Sequence, residues 1–142
     1  MIRKIDDTIS VAPQIAPGDV SDIAALGFVA IINNRPDDEE GGQPGGDEIA
    51  AAAEAAGLSY SAIPVSPGGV TEAQVTAMAA AIAAADGPVL AYCRSGTRSC
   101  NLWALASAST GGDTETLTAK GAGAGYDLSG IRPLLDSLSA KA

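Results

Sequence analysis

The chain has 142 residues, 46% of them apolar and 18% charged, enough for one domain with a real core and ordinary for a globular protein. Its net charge of −9, without a lysine or arginine stripe, excludes a phosphate-backbone binder, and no apolar run is long enough for a membrane helix. Histidine is absent, which excludes Ser-His-Asp and Cys-His catalysis and histidine-based zinc sites, and two cysteines seven apart make no disulfide framework.

In chain order, residues 8–11 alternate as a short strand. Residues 17–26 read as a helix with Pro17 at its start and Gly27 as its stop. The apolar run 28–32 has the character of a strand covered on both faces. A polar loop over 33–46 leads to a helix over 47–56, ended by Gly57. Residues 59–65 form a third strand that ends at Pro64 or lies at an edge. Thr71 and Gln74 make a capping box opening a helix that reaches Ala85. A fourth strand, 88–92, runs into Cys93, and a helix-like run starts at Cys100. The tail 113–142 reads as one or two short helices joined through the glycines at 121–125. Strands alternating with helices predict one α/β domain over 1–142, with a mostly parallel four-stranded sheet flanked by helices. Ligands bind such sheets beyond the carboxyl ends of the strands, where the loops 33–46, 66–70 and 93–99 would meet.

The chemistry concentrates in Cys93-Arg94-Ser95-Gly96-Thr97-Arg98-Ser99, between a strand and a helix. A helix N-terminus offers unpaired N–H groups and partial positive charge to an anion. Two of the eight basic residues lie within five positions of this cysteine in an acidic protein. Together these favour the thiolate over the thiol. Gly96 permits the curled backbone of an anion loop, Arg98 can aim a planar fork of donors, and Ser99 can cap the following helix and donate to the sulfur. Arg94, Ser95 and Thr97 complete the expected anion-binding set. The bland alternative is a buried inert cysteine with two solvated arginines.

The loop resembles that of rhodanese-type sulfurtransferases, whose cysteine carries a persulfide, and also that of cysteine-dependent tyrosine phosphatases. It departs from the phosphatase pattern, since Arg98 is five positions after Cys93 rather than six, and Tyr92 stands where many phosphatases have histidine. More widely the chain resembles the bacterial beta-lactamase-hydrolase-like family with a phosphatase-like domain. The resemblance rests on Ile31-Ile32-Asn33-Asn34-Arg35-Pro36-Asp37, on Gln43-Pro44, on Tyr92 to Ser99 with Leu102-Trp103, and on Ala124-Gly125-Tyr126-Asp127-Leu128. It implies a compact cysteine-phosphatase-like fold and leaves the reaction open.

The loop 66–70 carries no carboxylate to protonate a leaving alkoxide, whereas sulfane transfer needs none. The sequence reading therefore favours a rhodanese-like sulfurtransferase in the cytoplasm, without metal or organic cofactor. Cys93 would take sulfur from thiosulfate or a low-molecular-weight persulfide and pass it to cyanide or a thiol, with a sulfur-oxidising enzyme as a possible partner. The alternatives are a tyrosine-phosphatase-like hydrolase using a phosphocysteine and a non-catalytic oxyanion or sulfide sensor. Arg35 is a candidate third positive group, and Asp37 or Glu40 a displaced acid or an orienter of a loop arginine, unless residues 37–40 are simply a solvated acidic loop. Cys100 reads as a small buried residue rather than a resolving thiol, Trp103 as core, and Tyr126 as a packed anchor rather than a lid.

Overall fold

A computed structural model describes all residues, Met1–Ala142. Its sheet has five strands in the order β1-β2-β5-β3-β4: β1 Arg3–Lys4, β2 Ile9–Ala12, β3 Ala30–Asn33, β4 Ser59–Ala62 and β5 Val89–Tyr92. Four of them are parallel neighbours, as expected. The fifth, β1, pairs antiparallel with β2 (Arg3 opposite Val11, Lys4 opposite Ser10) and corrects the four-stranded expectation. Two exposed basic residues carry no burial periodicity, so nothing local marks them as a strand. The turn at Asp6, whose carboxylate accepts from the N–H groups of Thr8 and Ile9, brings them alongside β2. A charged two-residue edge also discourages further pairing.

Side chains alternate across the central strands. Val89 and Ala91 face one apolar layer and Leu90 and Tyr92 the other. The first layer packs against α3 Glu72–Ala84, α4 Thr97–Ser109, α5 Thr114–Gly123 and α6 Arg132–Lys141. The second packs against α1 Val20–Ala25 and α2 Gly46–Ala55. β2, β3 and β5 are buried throughout, as continuous apolar strands covered by helices should be. The edge strand β4 stops before Pro64, which could not donate to a further ladder bond.

The Thr71 box forms as expected. Gln74 N–H donates to Thr71 Oγ1 at 3.2 Å, and Thr71 N–H donates to Gln74 Oε1 at 2.7 Å. The helix expected from Pro17 begins as a 3-10 turn, Pro17–Asp19, before α1. In the tail, Gly121 and Gly123 lie inside or at the end of α5, and the break falls at Gly125, whose φ of +95° turns the chain back. Helix α4 starts at Thr97, three residues earlier than the apolar pattern suggests, because Gly96 is its N-cap. No helix of the structure is long and apolar enough to cross a membrane.

Candidate active site around Cys93

β5 ends at Tyr92 and α4 begins at Thr97, so four residues carry the chain from the sheet to a helix N-terminus. Gly96 makes this possible with a φ of +90°, a left-handed conformation that a residue with a Cβ adopts only under strain. The turn folds Gly96 N–H back onto Cys93 Sγ, to which it donates at 3.1 Å. The sulfur thus sits beneath the N-terminal end of α4 and already accepts one of its loop amides. Cys93 has no exposed surface.

Arg98, in the first turn of α4, is the guanidinium beside this sulfur. Its Nη1 donates to Glu39 Oε2 at 2.8 Å and to the Val65 carbonyl at 2.6 Å, and its Nη2 donates to Glu39 Oε1 at 2.8 Å. Two parallel bonds to one carboxylate fix the plane of the fork as a single bond would not. Its pKa is raised above the ordinary value, first by hydrogen bonding to Glu39, with the nearby Cys93 adding to the effect. Glu39 also accepts from Arg35 Nε at 2.9 Å. Hydrogen bonds from Arg98, then from Arg35, hold its carboxyl at about 2. Glu39 is therefore ionised at neutral pH and has no proton to give.

The other expected site residues are distributed unevenly. Arg94 turns outward and makes only a 3.4 Å contact with Glu40, its side chain 64% exposed. Ser95 and Thr97 share a hydroxyl hydrogen bond of 3.1 Å and line, with Arg94, Arg98, Asn101, Pro67 and Glu39, a pocket of about 540 Å³. Ser99 departs from its expected role. It lies inside α4 and donates to Asn34 Oδ1 at 2.8 Å rather than capping the helix or donating to the sulfur. Arg35 is buried, binding Glu39, Glu40 and the Gln14 amide oxygen, and does not itself line the pocket. Asp37 faces elsewhere. Its carboxylate accepts from Gly46 N–H at the start of α2 at 2.8 Å, in a separate cavity lined by Asn33 and Tyr60. Glu40, half-exposed, contacts both Arg35 at 3.5 Å and Arg94 at 3.4 Å.

Two residues were missed. Glu39 lay within a run that reads as solvated, and only the two unpaired arginines of neighbouring loops hinted at a shared carboxylate. Asn34, fully buried, ties Ser99 to the Ile63 carbonyl by donating 3.0 Å from Nδ2. Its position just after a buried strand was the available signal. Cys100 is buried in the main core, and burial, then the charge of Cys93, pushes its thiol up to about 12. Of the two sulfurs, Cys93 is the one that accepts a loop amide at a helix N-terminus.

The Glu39 clamp makes a pH-dependent contribution to stability. Its carboxyl is depressed from 4.5 to about 2 on folding. The stabilisation is therefore complete above 4.5 and disappears as pH falls towards 2. Glu39→Gln is expected to lower stability at pH 7 by about 1–2 kcal/mol and to flatten the acid limb of the stability curve. Urea unfolding at a series of pH values measures both. An unchanged acid limb would mean that Glu39 is not held in this way.

The family model for beta-lactamase hydrolase-like protein, phosphatase-like domain, matches residues 1–110. A beta-lactamase hydrolase-like protein of Agrobacterium fabrum is 44% identical over 108 residues, spanning 76% of this chain and 25% of that protein. The chain thus corresponds to about a quarter of that relative's length. Among solved structures, a candidate phosphatase of Neisseria meningitidis superposes with a TM-score of 0.83 at 36% identity, covering 96% of this chain and 97% of that one. Tk-PTP in its active form superposes with a TM-score of 0.75 at 17% identity, covering 99% and 97%, which speaks to the fold alone. The architecture is the α/β fold of these phosphatases, with the sheet described above.

Proposed function

The chain belongs to the phosphatase-like domain family of the beta-lactamase hydrolase-like proteins, and from that premise we propose that it is a cysteine-dependent hydrolase of phosphate monoesters. This replaces sulfur transfer as the leading reading, because its structural relatives are phosphatases. The observation that carries it is the Gly96 amide on Cys93 Sγ, at a helix N-terminus with the Arg98 fork alongside.

In the first step Cys93 thiolate attacks phosphorus. An S–P bond forms as the P–O bond to the leaving group breaks, and the departing oxygen takes its proton from water. Loop amides and Arg98 receive the charge on the remaining phosphoryl oxygens. In the second step water attacks phosphorus, the S–P bond breaks, inorganic phosphate leaves and the thiolate returns. Glu39 is the one carboxylate lining the pocket and is ionised, so esters with acidic alcohols, such as aryl phosphates, are favoured over alkyl phosphates.

The same pocket supports sulfur transfer as a second reading, because a departing sulfite needs no proton. There Cys93 attacks the outer sulfur of thiosulfate, the S–S bond breaks, sulfite leaves, and the persulfide yields its outer sulfur to cyanide or a thiol. Two incubations separate the readings. Hydrolysis of para-nitrophenyl phosphate, with one phosphoryl group trapped on Cys93 by rapid quench and intact mass, supports the hydrolase. A gain of one sulfur atom from thiosulfate, thiocyanate formation and no aryl phosphate turnover would overturn it in favour of transfer. Oxyanion binding without either reaction would leave a sensor.

A further inference from the structure

The loop carrying Cys93 is held from the tail of the chain, past residues 1–110 that the family model matches. Tyr126 lies just after α5, and its hydroxyl donates to the Ser95 carbonyl at 3.2 Å. The peptide joining Ser95 to Gly96 is planar and trans, so its C=O and N–H point in opposite directions. Tyr126 holds the carbonyl end. The amide end points at Cys93 Sγ, 3.1 Å away. One side chain therefore holds the peptide whose amide faces the sulfur.

That peptide needs an anchor. Gly96 sits at φ +90° with no Cβ to resist rotation. A flip would bring the Ser95 carbonyl oxygen towards the sulfur, replacing a donor with the negative end of a dipole, and the cradle would repel anions. Tyr126 also fills the space a Cβ on Gly96 would need.

Tyr126 is itself positioned from the other end of the chain. The Arg3 guanidinium carbon lies 5.7 Å from its ring centroid, within cation–π range. Arg3 Nη1 also donates to the Ala124 carbonyl at 3.2 Å. Gly125 leaves room for that arm, since a Cβ there would come within 2.5 Å of Arg3 Nη1. The edge strand β1 thus aims an arginine at the turn that braces the cysteine loop.

We propose that Tyr126 is a positioning residue that holds the Ser95–Gly96 peptide with its amide towards Cys93, making the Arg3–Tyr126 contact part of the anion-binding unit. The effect on turnover rests on the hydrolase reading; the effect on anion binding does not. Tyr126→Phe keeps the ring against Arg3 and removes only the hydroxyl. Its dissociation constant for tungstate, measured by calorimetry, is expected to rise about five- to tenfold, with kcat/KM for para-nitrophenyl phosphate falling by a similar factor. Leu138→Ala, which loosens the packing of α6 on the main core, is the control. It should lower Tm and leave tungstate affinity unchanged. Tyr126→Phe with wild-type tungstate affinity, whatever its Tm, overturns the proposal, as does failure of the wild-type protein to bind tungstate. If the wild type binds tungstate but hydrolyses no aryl phosphate, the hydrolase reading fails and the tungstate comparison still decides the role of Tyr126.

Discussion

Cys93→Ser is expected to reduce aryl phosphate turnover by on the order of 10³-fold or more while leaving oxyanion affinity within a few-fold of wild type. The two outcomes separate because the cradle and the nucleophile are different atoms. Gly96 N–H, Arg98 and the N-terminus of α4 remain when oxygen replaces sulfur. A serine hydroxyl stays protonated at neutral pH and is a far weaker nucleophile without an adjacent base. The chain has no histidine to act as that base, and Glu39 is committed to two arginines. Steady-state kinetics and calorimetry on the same preparation test the claim. Retention of a tenth or more of wild-type turnover would show that the sulfur takes no part in bond making.

Arg98→Ala should affect both chemistry and folding. Losing the fork beside the sulfur is expected to lower kcat/KM by about 10²–10³-fold, the usual size for removing one preorganised charge-stabilising group. It also takes two hydrogen bonds from Glu39 and the only side-chain donor to the Val65 carbonyl, and about 1–3 kcal/mol of stability should go with them. Arg98→Lys restores the charge but not the planar pair of donors and should recover little of the activity. Kinetics with denaturant unfolding of both variants gives the answer. Full activity in the lysine variant would mean that charge alone matters and that the geometry of the Glu39 clamp is incidental.

Much of the architecture follows from short-range rules. The apolar runs at 28–32 and 88–92 have the character of covered strands, Pro64 marks a strand end or an edge, and the reciprocal Thr71–Gln74 bonds mark a helix start from residues three apart. The cysteine loop was legible for the same reason. Strand, glycine turn and helix are contiguous in the chain, so the dipole, the sulfur and Arg98 come together within six residues. Residues acting across long separations were not legible. Ser99 could be read as a cap only while its partner, Asn34, lay 65 positions away.

The amino-acid sequence by itself determined the layers of the fold and the family and singled out the cysteine loop, because each depends on local periodicity or on a contiguous motif. Only the tertiary structure decided that β1 completes the sheet and that Glu39 holds Arg98. It also decided that Asp37 serves α2 instead of the pocket, and that a tyrosine 31 residues past Ser95 reaches back to its carbonyl. Those are choices among charged and polar groups that solvent would satisfy equally well in the unfolded chain. Which partners they find depends on where the packed core places the loop ends.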